Sequence, residues 1–378
     1  MAEYLTNTTD LTLVADAIRT KGGTTGLLTY PDEFVTAIQA IQTGIVPQLI
    51  VTVSAGATVT ATNGSKTITG TSDSTGVCTL AVPEIGTWSV SATLGGQTSD
   101  TKTVSVTDSY AVALSFVSST LNNNEWSVIK SVSDAGQGAN YWSIGDRKEV
   151  TLNGTVGHLT LSNYKTYAFI IGFNHNASVE GTNRIHFQIA KTALSGGKDV
   201  ALCDSEYNLQ VYETGYFSMN SSNTNSGGWA RSKMRTNICG TSLSSYSGTI
   251  IAVIPAALRA VLKSVTKYTD NTGDGSTAAS AVTATTDYFF LLSEYEVFGS
   301  ISYSNSNESS KQAQYAYYSA GNSKIKYKHN GTSTAAYWWL RSPRASVVYA
   351  FVSVASRNAF ADYNNAQDSL GFAPGFCV

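Results

Sequence analysis

The chain has 378 residues, of which only 13% are charged, and its formal net charge is −2 at pH 7. A chain of this length is typical of two or three domains rather than one. It carries no basic stripe that would neutralise phosphates, which argues against a nucleic-acid partner. Residues 1–9 are polar, and no apolar run approaches the roughly 18 to 20 residues that span a bilayer, so we expect neither a secretory signal nor membrane insertion.

Four cysteines are scattered along the chain without CxxC spacing: Cys78, Cys203, Cys239 and Cys377. This spacing argues against a metal cluster or a thioredoxin-type redox site. We expect buried thiols, as in a protein assembled in the cytoplasm. A bridge between Cys203 and Cys239, or between Cys239 and Cys377, remains open at this point.

Residues 1–44 predict two short helices. The first has apolar side chains at i, i+3, i+4 and i+7, namely Leu11, Val14, Ala15 and Ile18, and stops at Gly22-Gly23. The second begins near Pro31 and has an apolar face made of Phe34, Ile38 and Ile41. Two short helices cannot bury a core alone, so we expect them to pack on copies of themselves or on a partner protein.

Residues 45–117 change to short runs rich in β-branched residues, separated by turn signals such as Asn63-Gly64. The predicted strands are Ile50–Val53, Thr58–Thr62, Lys66–Gly70, Val77–Leu80, Thr87–Ala92, Lys102–Val106 and Ala111–Phe116. Such a series predicts a small Ig-like β-sandwich. Nothing in it offers a binding or catalytic site, so we interpret it as a spacer.

Residues 118–378 mix short apolar runs, scattered aromatic residues and long loops, which alone predicts an α+β domain. The best helix candidate runs from Ile251 to Val265, where Leu258, Val261 and Leu262 keep helical spacing. Residues 269–280 predict an exposed loop.

The C-terminal stretch opens with Trp338–Pro343 (WWLRSP) and closes with Gly371–Val378 (GFAPGFCV). Between these ends, residues 344–370 show no sustained period of 2 or 3.6 and no catalytic pattern, as expected of a display surface. Lys, Glu, Met and Trp are absent from Arg344 to Val378. The recurrent residue types are those reached from an Asn codon when its adenines are changed, although Gln367 departs from this pattern.

These features resemble the variable proteins of diversity-generating retroelements, of which phage tropism determinants are the best known. The WWLRSP opening, the run Tyr363–Ala366 and the GxAPGF ending carry the resemblance. Four upstream segments fall where the framework motifs of that family fall: Tyr141–Asp146, Ile171–His175, Gly227–Arg235 and Leu291–Gly299. The resemblance implies a C-type-lectin-like fold for residues 118–378, with a variable region at about 344–372.

A second resemblance concerns the N-terminus. The segment Leu11–Gly23, followed by Tyr30–Phe34, is similar to the N-terminal module of many phage tail and minor structural proteins. That similarity implies attachment to a virion, whereas an ordinary helical hairpin used for oligomerisation is the alternative.

The residues of the display surface follow from these patterns. Alternation along residues 349–355 directs Phe351 and Val354 inward. It directs Tyr349, Ala350, Ser353 and Ala355 outward. We predict the display surface to comprise Arg344, Val347, Val348, Tyr349, Ala350, Ser353, Ala355, Arg357, Asn358, Phe360, Asp362, Tyr363, Asn364, Asp368, Leu370 and Phe372. Framework support is predicted for Trp338, Trp339, Arg341 and Phe351, with Arg341 bonding backbone carbonyls or the carboxylate of Glu294 or Glu296.

Catalytic and metal signatures are weak. The chain has four histidines, none of which stands in a catalytic motif: His158, His175, His186 and His329. No G-x-S-x-G nucleophile elbow occurs either. Asp362, Asn364 and Asp368 offer oxygen atoms, but the EF-hand glycine and distal glutamate are missing. A structural calcium site using Asp270, Asp274 and Glu294 stays an alternative. We expect no cofactor and no metal in the binding surface.

Taken together, the two resemblances imply a phage tail receptor-binding protein that recognises a bacterial surface ligand, either protein or glycan. The analogy with phage fibre tips implies a homo-oligomer such as a trimer. Its N-terminal module would bind other tail proteins. One alternative is a non-virion bacterial adhesin or ligand-sensing protein of the same fold. Another is an oxidative enzyme of the formylglycine-generating type, which shares that fold and would need a cysteine pair such as Cys239 and Cys377; we expect no enzymatic activity.

Overall fold

A computed structural model describes residues 8–22, 26–40, 46–64 and 66–378. By contacts between Cα atoms the chain divides into two compact units, Met1–Phe116 and Val117–Val378. Both units together make a mixed α+β protein in which β-sheet dominates.

The first unit begins with two helices, α1 (Thr8–Gly22) and α2 (Asp32–Ala40). Ala15 and Ile18 of α1 bury against Phe34 of α2 and form a small apolar cluster. Two short helices were predicted, and two are present. Val14 and Ile38 were predicted on the apolar faces but are about half exposed, because the apolar cluster between the two helices is small. Ile41 lies outside the described residues.

The rest of the first unit consists of short strands that follow the predicted runs closely. They are β1 (Gln48–Thr52), β2 (Thr58–Asn63), β3 (Lys66–Thr71), β4 (Val77–Ala81), β5 (Gly86–Leu94), β6 (Gln97–Thr98), β7 (Lys102–Val106) and β8 (Tyr110–Ala113). One sheet has the order β4-β1-β8, and the other has the order β3-β2-β5-β6 with β7 also paired to β5. Val51 and Leu80 of the first sheet share one apolar core with Trp88 and Val90 of the second.

The second unit carries the remaining strands. They are β9 (Arg147–Val156), β10 (Leu159–Phe173), β11 (Ile185–Lys191), β12 (Val200–Ala201), β13 (Val265–Asp270), β14 (Val282–Asp287), β15 (Phe289–Phe290), β16 (Lys326–Lys328), β17 (Gly331–Ala336), β18 (Trp338–Pro343), β19 (Ala350–Val354), β20 (Ala361–Asn365) and β21 (Gly375–Cys377). The largest sheet has the order β15-β21-β11-β10-β9, and β18-β19-β20 form a second antiparallel sheet.

The strand β21 lies inside the large sheet rather than at its edge. Phe376 pairs with Phe187 of β11 on one side and with Phe289 of β15 on the other. The rings of Phe187 and Phe376 stack with centroids 5.2 Å apart. The GFAPGFCV ending is therefore the centre of the core, and every residue from Ser369 to Val378 is buried.

The helices of the second unit are short. They are α3 (Trp126–Asp134), α4 (Gly138–Tyr141), α5 (Ala177–Glu180), α6 (Gly228–Arg231), α7 (Ile250–Val253), α8 (Ala256–Arg259), α9 (Glu294–Phe298) and α10 (Ala316–Ser319), with a π-helical turn at Met234–Cys239. The single helix predicted from Ile251 to Val265 is wrong. Ile254 adopts an extended conformation before Pro255, as residues preceding proline commonly do, and this splits the segment into α7 and α8.

The loop predicted at residues 269–280 is only partly correct. Thr269 and Asp270 belong to β13 and are buried, whereas most of residues 271–280 are at least partly exposed. Asp270 accepts backbone hydrogen bonds from Thr272 and Gly273 and one from the Asn305 side chain, so its carboxylate closes a turn.

Candidate functional site

The strand β18 forms the floor under the predicted display surface, and all of its residues are buried. Trp339 Nε1 donates to the carbonyl of Phe217 at 2.9 Å, and Trp338 Nε1 donates to the carbonyl of Lys324 at 2.9 Å. Both indoles are completely buried, so neither ring offers a platform for a sugar.

The side chain of Arg341 anchors β18 through several hydrogen bonds. Its Nε donates to Thr269 Oγ1 at 2.7 Å, its Nη1 donates to the carbonyl of Leu291 at 2.9 Å, and its Nη2 donates to Glu296 Oε1 at 2.9 Å. The contacts agree with the expected role of Arg341, and Glu296 is the carboxylate partner. Glu294 instead accepts backbone hydrogen bonds from residues 302–304.

A buried ionic cluster continues from Arg341. Lys267 Nζ lies 2.7 Å from Glu180 Oε2, 3.0 Å from Glu296 Oε1 and 2.8 Å from the Tyr315 hydroxyl. Burial alone would raise the pKa of Glu296, but the charges of Arg341 and Lys267 outweigh it and hold that pKa well below its ordinary range. Burial raises the pKa of Glu180 to about 7, although the charge of Lys267 opposes this.

The same cluster contains the side chains best placed to ligate a metal among the described residues. Ligand atoms of His175, Glu180 and Glu296 lie within 4.8 Å of one another. The ammonium of Lys267 is already within hydrogen-bonding distance of both carboxylates. A positive charge supplied by the chain itself therefore stands where a cation would bind.

Asn225 anchors the segment that leads from β18 to β19. Asn225 Nδ2 donates to the carbonyls of Val347 at 2.7 Å and Ala350 at 2.9 Å, and its backbone N–H donates to the carbonyl of Val348 at 2.8 Å. Asn225 is completely buried. Because these hydrogen bonds fix the backbone of the loop, the positions from which its side chains project are fixed as well.

Most of the predicted display surface reaches solvent. Five of its side chains are exposed: Val348, Tyr349, Arg357, Asn358 and Phe360. Others are half-buried: Arg344, Val347, Asp362, Tyr363, Asn364 and Asp368. They occupy the loop at residues 344–349, the turn at residues 355–360 and the outer strand β20.

The remaining predicted surface residues are buried, and their assignment was wrong: Ala350, Ser353, Ala355, Leu370 and Phe372. Alternation exposes one face of a strand only where that face is uncovered, but every residue of β19 is buried, so both of its faces are covered. Leu370 donates its N–H to Phe217, and Phe372 pairs with Leu202, so both belong to the core. Phe351 is buried, as expected of a framework residue.

One aromatic cluster joins the two sides of the surface. The guanidinium carbon of Arg344 lies 3.4 Å from the centroid of the Tyr363 ring. Tyr363 in turn meets Tyr303 edge to face, with centroids 5.1 Å apart. This distance places the Arg344 guanidinium over the face of the Tyr363 ring, as in a cation–π interaction.

Two exposed residues beside the surface were missed from the sequence. Tyr212 is 71% exposed and Leu209 is 55% exposed. Their segment is hydrogen-bonded alongside residues 367–369, through Leu209 to Ser369 and Val211 to Gln367. No local pattern marks them, because only the tertiary pairing brings their segment alongside residues 367–369.

The cysteines do not form a reactive pair with one another. Cys377 and the buried His186 beside it do not form one either. All four thiols are free and buried. Burial raises the pKa of Cys377 to about 12 and the pKa of Cys239 well above its ordinary value, so both stay protonated near neutral pH. Cys377 Sγ lies 3.3 Å from His186 Nδ1, and burial lowers the pKa of that histidine. Protonated thiols shielded from solvent are poor nucleophiles.

Comparisons with known proteins give limited information. Residues 202–378 match a family described as a domain of unknown function, DUF6273. A search of curated proteins gives no match. Among solved structures, the TIE protein of Bacillus anthracis is similar at 13% sequence identity, with a TM-score of 0.17 over 40% of this chain and 29% of that one. The chain thus spans less than a third of the length of that protein.

No helix of the described residues is both long and apolar enough to cross a membrane.

Proposed function

We propose that the chain is a phage tail receptor-binding protein whose display surface, diversified by a retroelement, recognises a ligand on the bacterial surface. The observation that carries this proposal is the contrast within residues 338–378. Exposed side chains concentrate between residues 344 and 368, whereas both flanking segments are buried. Exposed positions tolerate substitution with little loss of stability, so such a frame can accept many sequences.

The architecture proposed for this role has three parts. Residues 118–378 would form a C-type-lectin-like domain, residues 45–117 an Ig-like spacer, and residues 1–44 a module that attaches to other tail proteins. The two facing sheets of the first unit support the spacer, and the exposed apolar side chains of α1 and α2 support a partner for the helices, a second copy or a tail protein.

Recognition would be non-covalent. Tyr349 and Phe360 are 40% and 66% exposed and supply rigid aromatic anchors, while Asn358 and Asn364 supply adaptable polar contacts. This mixture is similar to that of antibody binding sites. Several copies on one tail would multiply weak single contacts, because linked sites raise the effective concentration.

The proposal is tested by sequencing the 3′ end of the gene across one population, together with its flanking DNA. We expect substitutions confined to adenine-matched codons in residues 344–372, beside a near-identical repeat and a reverse-transcriptase gene. An invariant segment without a repeat would refute the diversification. Detection of the chain in purified phage particles separates the virion protein from a cell-anchored adhesin of the same fold.

Binding is tested on whole bacteria with a fluorescent form of the full chain. The combined substitution of Val348→Ser and Tyr349→Ala should lower cell binding by about tenfold or more, since exposed aromatic anchors dominate such contacts. Leu194→Ala is the matched control, because this residue is also exposed but lies outside residues 344–368. Equal binding by both variants would contradict the proposed surface.

A further inference from the structure

An open groove of about 440 Å³ lies between the turn at residues 355–360 and the segment 321–325. Phe298 and Phe360 supply aromatic surface to it, and Asn322, Ser323 and Asn358 supply amides and a hydroxyl. Its volume is in the range of sites that bind small molecules or one or two units of a polymer. Aromatic rings and neutral polar groups thus meet in one concave surface.

The walls of the groove are held in place by the frame. Trp338 Nε1 donates to the carbonyl of Lys324 at 2.9 Å, and Asn322 Nδ2 donates to the carbonyl of Tyr317 at 2.8 Å. On the opposite side, Ala355 N–H donates to the carbonyl of Phe360 at 2.9 Å and closes the turn. The groove is therefore formed before any ligand arrives, which lowers the entropic cost of binding.

The exposure of Phe360 is unusual within this chain. It is 66% exposed, and it is the one phenylalanine among the exposed large apolar side chains of the described residues. A phenylalanine held in solvent by a fixed turn gains the free energy of burial only when a ligand covers its ring. The position of Phe360 thus favours a ligand with an apolar face.

The groove also carries an unneutralised positive charge. Lys324 Nζ lies 5.7 Å from the centroid of the Phe298 ring. Within the part of the chain that the structure describes, no carboxylate forms an ion pair with Lys324. A ligand with an anionic group would supply the missing partner.

We propose that this groove binds an acidic saccharide, which names the ligand class of the proposed receptor-binding function and rests on that function. The apolar face of a sugar ring would lie on Phe360, its hydroxyls would bond Asn322 and Asn358, and its carboxylate would meet Lys324. Amides both donate and accept, as hydroxyls require. A peptide fits less well, because segment 321–325 is not a strand and offers no sheet edge to extend.

The test uses a printed panel of acidic and neutral bacterial oligosaccharides and the fluorescent full chain. We expect binding to acidic members, at least about tenfold weaker binding with Phe360→Ala, and loss of the preference for acidic over neutral members with Lys324→Gln. Lys324→Arg should restore the preference, since it restores the charge. Leu194→Ala should bind as the unaltered chain does.

Failure of the groove and failure of the receptor-binding role are distinguishable. Whole-cell binding without binding to any acidic member of the panel, or panel binding unaffected by Phe360→Ala, would overturn the groove and leave the adhesin. Panel binding that depends on Phe360, with no bacterium bound, would support the groove and refute the receptor-binding role. Thermal unfolding of each variant shows that it is folded, and both side chains are solvent-accessible enough to be changed.

Discussion

Arg341 and Glu296 form a two-point ion pair with no solvent exposure, in which Nη2 lies 2.9 Å from Oε1 and Nη1 contacts Oε2. The pair connects β18, the floor of the display surface, to α9. It is therefore one of the contacts that anchor the strand preceding residues 344–368, besides those of Asn225.

Arg341→Met should destabilise the second unit by about 3–5 kcal/mol, because it leaves Glu296 buried with less compensation. Arg344→Met is the matched control, and its half-exposed side chain predicts a change of about 0.5 kcal/mol or less. Chemical unfolding followed by tryptophan fluorescence reports mainly on this unit, since Trp88 is the one tryptophan outside it. Similar losses in the two variants would show that the buried pair contributes little.

Glu308→Gln should change how stability depends on pH. Burial raises the pKa of Glu308 from 4.5 to about 7, against hydrogen bonds from Asp270 and Ser342. Because this pKa is higher in the folded state, the stabilising proton is fully held below about pH 4.5 and is lost as the pH rises through about 7. The unaltered chain should lose on the order of 3 kcal/mol relative to the variant over this range.

The measurement for Glu308 is the free energy of unfolding of both proteins between pH 4.5 and 8.5. Glu213→Gln, which removes an exposed carboxylate, is the matched control. A constant difference between the Glu308 variant and the unaltered chain would mean that this carboxyl titrates alike in the folded and unfolded states.

Asn225→Ala should release the loop at residues 344–350. It removes hydrogen bonds to the carbonyls of Val347 and Ala350, and we expect a loss of about 2–3 kcal/mol. Hydrogen exchange followed by mass spectrometry should show faster exchange in this loop. The turn at residues 355–360 is the internal control, because its hydrogen bonds do not involve Asn225. Acceleration in both segments would indicate general unfolding instead.

We expect that the buried cluster around Lys267 needs no bound metal ion for its stability, because the ammonium supplies the positive charge. A chelator should leave the thermal midpoint of the unaltered chain unchanged. Lys267→Ala should lower the midpoint, because Glu180 and Glu296 lose their shared ammonium. Added Co²⁺ should then partly restore it and give visible absorption bands, since His175, Glu180 and Glu296 can supply ligands. A midpoint that falls when the unaltered chain meets the chelator would show that a metal is present.

Much of the fold follows from local patterns. The predicted strands of residues 45–117 match the observed ones within a few residues, because β-branched runs and turn residues are local signals. The prediction of one helix at residues 251–265 is wrong because the effect of Pro255 on the preceding residue outweighs the apolar spacing. The position of β21 inside the large sheet has no local signal, since it depends on pairing with β11 and β15.

The candidate site was predictable in part for the same reason. The lack of a sustained period and the resemblance placed the surface in residues 344–370, but alternation misplaced Ala350 and Ser353, because both faces of β19 are covered. Tyr212 and Phe298 lie far away in sequence and join the surface or the groove only through tertiary structure. Proximity of this kind cannot be read from one sequence.

The interior position of β21 also bears on how errors would be handled in the diversified gene that we propose. A stop codon or a frameshift anywhere in residues 344–370 would remove Phe376 and leave β11 and β15 without the strand that joins them. Such a chain could not complete its core and would be cleared by proteolysis before assembly. Only versions of the segment with an intact reading frame would therefore fold, and only those versions would be displayed.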